Sequence, residues 1–181
     1  LQKNQLKKLS NITQIKNNGL FVFAHFNIPH PPYLLNANGE CYPTSTYVTF
    51  PDKEVNKKRY IEYLKFFNDQ ILNIFDEMLK TNKNFIFIIQ SDEGPAPCFY
   101  LDQCDENWDL KTSNINALYA SNRLEIDEND LKTPINNFIH IYKYLLGNDI
   151  ESLEDIVYKG KTMTENRPFD FQEIENFEII N

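Results

Sequence analysis

Phe85-Ile-Phe-Ile-Ile-Gln-Ser-Asp-Glu-Gly-Pro95 is the stretch on which the reading of this chain turns. Its five leading apolar residues are β-branched or aromatic and too few for an ordinary helix, so they predict a buried strand. Ser91-Asp-Glu-Gly-Pro95 then supplies turn residues at the strand's carboxyl end. Upstream, between about Asn56 and Lys80, Tyr60, Tyr63, Leu64, Phe67, Ile71, Ile74, Phe75 and Met78 recur every three or four residues. That stripe predicts a long helix packed on one side, with Asn82 and Asn84 marking its end. Further upstream, Gly19-Leu-Phe-Val-Phe-Ala24 is a second apolar run of strand length. It leads into His25-Phe-Asn-Ile-Pro-His-Pro-Pro-Tyr33, where three prolines exclude regular structure.

Strand, helix, strand reads as a right-handed crossover, which would place the two strands parallel in one sheet. The expected fold class is therefore α/β: a three-layer sandwich with a mixed, mainly parallel sheet flanked by helices. In open α/β sheets functional groups gather beyond the carboxyl ends of the strands. His25 and His30 on one loop, and Asp92 and Glu93 on the other, are expected to meet at that edge. Around this core, Leu6, Leu9 and Ile12 predict a short amphipathic helix within residues 1–18. Ile115–Tyr119 reads as a short strand, and Leu124–Leu131 as an acidic, exposed stretch. Thr133-Pro134 opens a helix that runs to Leu146 and stops at Gly147-Asn148. The whole is expected to be a single domain over 1–181, with a leading helix at 1–18, a core at 19–147 and a tail at 148–181.

Composition narrows the function classes. At 181 residues with 41% hydrophobic and 14% aromatic side chains, the chain can bury a core. A formal charge of −8 and a sequence pI near 4.9 argue against a nucleic-acid-binding surface, which needs clustered Lys and Arg. The same acidity is compatible with holding a divalent cation. No apolar run approaches the roughly 20 residues that span a bilayer. Cys41, Cys98 and Cys104 form no metal knot; Cys98 and Cys104 are close enough in sequence to close a small loop. The chain begins at Leu1, which suggests a piece processed or excised from a longer polypeptide.

Among residues able to carry chemistry, Asp92 and Glu93 stand first. Adjacent carboxylates beside a glycine suit a hard cation, although the same residues also make an ordinary acidic turn. His25 and His30 can ligate a metal or donate a hydrogen bond to an anionic ester, or simply brace their own loop. His140 lies inside the late helix, where a structural role is expected. Neither a nucleophile elbow nor a glycine-rich phosphate loop is present.

The segment Phe21-Val-Phe-Ala-His-Phe-Asn-Ile-Pro-His-Pro-Pro-Tyr33 resembles the "strand, then H-x-x-x-P-H-x-P" segment of sulfatase-like domains of the alkaline phosphatase superfamily. Phe87-Ile-Ile-Gln-Ser-Asp-Glu-Gly-Pro95 is similar to their "strand, then S-D-H-G or S-D-N-G" segment. Asn114-Ile-Asn-Ala-Leu-Tyr119 and Thr133-Pro-Ile-Asn-Asn-Phe138 resemble later landmarks of membrane-associated members, so the likeness runs from about Gly19 to Gly147. It implies the C-terminal part of a metal-dependent hydrolase or phosphotransferase acting on sulfate or phosphate esters. Asp92, with Glu93 beside it, would be a metal ligand; His30, with His25 nearby, would contact the ester's anionic group. The nucleophile would belong to an upstream half of the same polypeptide, leaving this chain inactive alone. Glu93 stands where relatives carry His or Asn, which favours Mn²⁺, Mg²⁺ or Ca²⁺ over Zn²⁺. The alternative is a non-catalytic sulfatase-like binding module. The placement suggested by the resemblance is the extracytoplasmic part of a membrane-anchored parent, with no membrane segment in this chain.

Overall fold

The computed structural model describes residues 2–15, 19–43, 52–81, 83–95, 112–121, 133–147, 150–156, 158–160 and 171–173. The chain divides into two compact units, one formed by Leu1–Lys83 with Cys98–Gln103 and the other by Asn84–Pro97 with Cys104–Asn181.

The first unit is helical. α1 (Gln2–Ser10) buries Leu6 and passes into a 3-10 turn over Asn11–Gln14. α2 (Lys53–Leu79) begins where the Asp52 carboxylate accepts a hydrogen bond from the Val55 N–H at 2.9 Å, a cap that stabilises the helix by about 1 kcal/mol. Its buried face carries Tyr63, Ile71 and Ile74 from the expected stripe, together with Phe66, where the sequence stripe has Phe67. Tyr63 is almost fully buried; its ring packs edge-on against Tyr33, and its hydroxyl donates to Gln2 Oε1 at 2.5 Å. That contact ties α1, α2 and the loop before Leu35 together. A tight turn follows the loop: Asn36 Oδ1 accepts from the Asn38 and Glu40 amides, and Leu35 bridges Cys41. Gly39 takes a positive φ of 77° there, and a Cβ on it would come within 2.6 Å of the Phe66 ring, so no other residue fits without rearrangement.

The second unit holds the four strands found among the described residues. β1 (Ile86–Gln90) pairs antiparallel with β2 (Asn116–Ala120), Ile88 lying opposite Leu118. α3 (Asn137–Leu146) follows a 3-10 turn over Pro134–Asn136 that is capped by the Thr133 hydroxyl, and it ends at Gly147 in the left-handed region. A second small antiparallel pair joins β3 (Tyr158–Gly160) to β4 (Phe171–Glu173).

The expected three-layer sandwich with a mainly parallel sheet is not what forms. Both sheets among the described residues are two-stranded and antiparallel. Gly19–Ala24 is irregular, with Phe21 75% and Phe23 81% exposed. The composition of that segment suits a strand, but a strand persists only when a neighbour takes its N–H and C=O groups and a core takes its side chains. Neither is supplied among the described residues. The long helix is present; with Gly19–Ala24 irregular, the expected crossover is absent from the described residues, and β1 takes its partner from downstream. The leading helix, the long helix, β1, the short strand near Ile115–Tyr119 and the helix after Thr133-Pro134 all form within a few residues of where the sequence places them. The possible Cys98–Cys104 loop and the acidic Leu124–Leu131 stretch lie outside the described residues.

Candidate functional site

The turn after β1 is rigidly framed. Ser91 closes the ladder twice: its amide donates to Ile115 O at 2.9 Å, and its hydroxyl accepts from the Ile115 amide at 2.8 Å. Asn137, at the start of α3, is fully buried. Its side-chain amide donates to Gln90 Oε1 at 3.1 Å and to Asn116 Oδ1 at 2.6 Å, while Asn116 returns a bond to Asn137 Oδ1 at 3.3 Å. A buried amide cluster of this kind is costly to leave half-made, so it locks the ends of β1 and β2 against the helix. Asn136 extends the bracing by both donating to and accepting from the Leu153 backbone at 2.9 Å, and Thr133 donates to Asp155.

Asp92 and Glu93 begin where this framework ends. Both side chains are exposed, and neither takes a hydrogen bond or ion pair among the described residues. Two unpartnered carboxylates on a fixed turn can offer oxygen ligands to a hard cation without first breaking an internal bond. Two carboxylates do not complete such a site, and among the described residues no group of three or more His, Cys, Asp or Glu side chains is placed to hold a metal ion.

His25 and His30 lie on one loop of the first unit, both exposed. The loop is pinned at several points: Phe26 packs on Phe67 with ring centroids 5.4 Å apart, Asn27 O accepts from Gln2 Nε2 at 3.2 Å, and Ile28 and Tyr33 are buried. His30 Nδ1 donates to Pro31 O at 2.6 Å. Because a carbonyl only accepts, Nδ1 carries the proton, and Nε2 remains as a ligand or, when protonated, a donor to an anion. The histidines belong to the first unit and the carboxylates to the second. The parallel sheet edge expected to unite them is absent from the described residues. His140 sits in α3, and its Nε2 is buried without a hydrogen-bond partner among the described residues.

Sequence reading missed the asparagines. Asn116, Asn136 and Asn137 stand within segments noted as landmarks, but their part in holding the strand ends is visible only in the packing. A usable signal was Asn136-Asn137 on the apolar side of a helix start, where a buried amide must have partners. Tyr42 is a second unforeseen feature. Burial, followed by its hydrogen bond to Glu62, pushes its phenol well above the usual range, while Arg59 lies 4.6 Å over its ring.

No family model matches the chain, and no curated protein or solved structure shows significant similarity to it. No helix among the described residues is long and apolar enough to cross a membrane.

Proposed function

We propose that this chain is part of a sulfatase-like, metal-dependent hydrolase or phosphotransferase of the alkaline phosphatase superfamily, acting on sulfate or phosphate esters. The observation that carries the reading is the Ser91-Asp92-Glu93-Gly94 turn: two carboxylates, exposed and without a partner among the described residues, at the end of an apolar strand held by a braced framework. Asp92, assisted by Glu93, would hold Mg²⁺, Mn²⁺ or Ca²⁺, which when bound would polarise an ester oxygen. His30 Nε2 is available to donate to the ester's anionic oxygens when the ring is protonated. The remaining acidic ligands and the nucleophile would come from an upstream half of the same polypeptide, so the isolated chain is expected to bind metal weakly and turn over nothing.

Glu93 favours a second reading. A carboxylate in place of the family's imidazole or amide adds negative charge beside an anionic substrate, as expected of a sulfatase-like module that retains binding and has lost catalysis.

Calorimetric titration of the purified chain with Mn²⁺, Mg²⁺, Ca²⁺ and Zn²⁺ tests the first reading. Binding of a hard cation that disappears in Asp92→Ala supports it, whereas binding unchanged by that substitution removes Asp92 from the site and overturns it.

A further inference from the structure

Asn38-Gly39 is a chemically labile pair that the first unit holds closed. Glycine lacks a Cβ, so in an open chain its backbone nitrogen swings freely against the preceding asparagine side chain. The fold demands glycine at this position: φ is 77°, and a Cβ would come within 2.6 Å of the Phe66 ring. The residue that makes the pair labile is thus the one the turn cannot replace. Asn38 is exposed to water, whereas Gly39 is buried. The Gly39 N–H donates to Asn36 O at 2.9 Å. Asn36 Oδ1 holds the amides on either side, that of Asn38 at 3.0 Å and that of Glu40 at 2.9 Å. The Asn36 N–H donates to Glu40 O at 2.9 Å and closes the base of the turn.

We propose that Asn38 is a deamidation site gated by this turn, inert while the turn is closed and converted irreversibly once it opens. Water is the only co-reactant. The Gly39 nitrogen attacks the side-chain carbonyl carbon of Asn38, a C–N bond forms, and ammonia leaves with the proton that the nitrogen gave up. Water then opens the five-membered imide. Cleavage at the side-chain carbonyl yields aspartate. Cleavage at the backbone carbonyl yields isoaspartate, whose main chain is longer by one methylene. In the closed turn the attacking nitrogen is fixed, its proton is committed to Asn36 O, and burial opposes the anion it must become. The isoaspartate product cannot resume the turn. An added backbone atom between Asn36 and Glu40 breaks the register of the bonds that Asn36 makes and displaces Gly39 from the Phe66 ring. Phe66 belongs to the buried face of α2, so the change reaches the core of the first unit.

Peptide mapping by mass spectrometry tests the proposal, after incubation of the full chain at neutral pH with and without guanidinium chloride. Asn18-Gly19, the other Asn-Gly pair in the sequence, gives the rate of the unfolded chemistry in denaturant, and Asn38 is expected to match it there. Without denaturant, conversion of Asn38 is expected to slow about a hundredfold, because a slow reaction is scaled by the population of the open turn. Asn36→Ala removes the acceptor of two turn amides and keeps Asn38-Gly39. It is expected to speed the native conversion roughly tenfold and to leave the rate in denaturant unchanged. Equal rates at Asn38 with and without denaturant overturn the proposal, as does a folded Asn36→Ala chain that converts no faster than wild type. If Asn36→Ala does not fold, the wild-type ratio decides. The refolded isoaspartate chain is expected to melt below wild type, whereas Asn38→Asp, which adds the charge without the backbone atom, is expected to melt with it. An isoaspartate chain that melts with wild type overturns the irreversible step.

Discussion

Leu20–Ala24 and Ile86–Gln90 carry much the same side chains and meet opposite fates. In the first, Phe21 and Phe23 lie mostly in solvent and no ladder forms. In the second, the apolar side chains are half-buried, and a neighbouring strand is clamped at both ends by serine hydroxyls: Ser91 accepts from Ile115 N–H, and Ser121 accepts from Phe85 N–H at 2.8 Å. β propensity is thus permissive, and pairing is decisive. Ile86–Gln90 has a partner within easy reach downstream, a ring contact between Phe85 and Tyr119 at 5.3 Å, and Asn137 tying its end to α3. Leu20–Ala24 has none of these among the described residues.

The contrast breaks most readily at Asn137. Asn137→Ala leaves Gln90 Oε1 and Asn116 Oδ1 without their buried donor and is expected to destabilise the second unit by about 3 kcal/mol. Urea unfolding followed by near-ultraviolet dichroism would check this, and Asp92 should lose its fixed position along with the strand end. Phe87→Ala comes next. It removes a half-buried ring from the paired strand and is expected to cost about 2 kcal/mol in the same assay.

Alkaline pH acts on the other region. Burial raises the Tyr60 phenol, and burial together with the hydrogen bond to Glu62 raises that of Tyr42, both in the first unit. A raised folded-state pKa means that the stabilisation is fully present below the unfolded value of about 10 and is lost as pH climbs through the folded one. Thermal unfolding between pH 9 and 12 should therefore show a falling midpoint, and Tyr42→Phe should flatten that fall. The smallest effect sharpens the comparison: Phe23→Ser is expected to change stability by less than about 0.5 kcal/mol, because the ring it removes is already in water. A cost equal to that of Phe87→Ala would mean that Leu20–Ala24 is packed after all.

Local signals in the sequence were sufficient for the helices and for β1. The three- and four-residue stripe ending at Met78 sits on α2, and Thr133-Pro134 and Gly147 bracket the late helix as turn and cap chemistry require. Topology was not legible, because an apolar run does not name its partner: the β1–β2 register depends on groups some 30 residues apart, Ser91 with Ile115 and Phe85 with Ser121. The candidate site shows the same division. Asp92 and Glu93 stand out as carboxylates beside a glycine at a strand end, and that strand exists. Their union with His25 and His30 rested on a parallel sheet, and no parallel sheet is found among the described residues. The asparagine cluster holding the turn escaped notice because an amide reveals its role only through its partners.

Amide hydrogen exchange by nuclear magnetic resonance, at dilution, tests the central contrast most directly. The ladder-facing amides of Phe87 and Ile89 are expected to exchange slowly, and those of Leu20 to Ala24 at nearly the rates of an unstructured peptide. Slow exchange through Phe21, Val22 and Phe23, matching that of β1, would contradict the account and restore a strand where the structure has none.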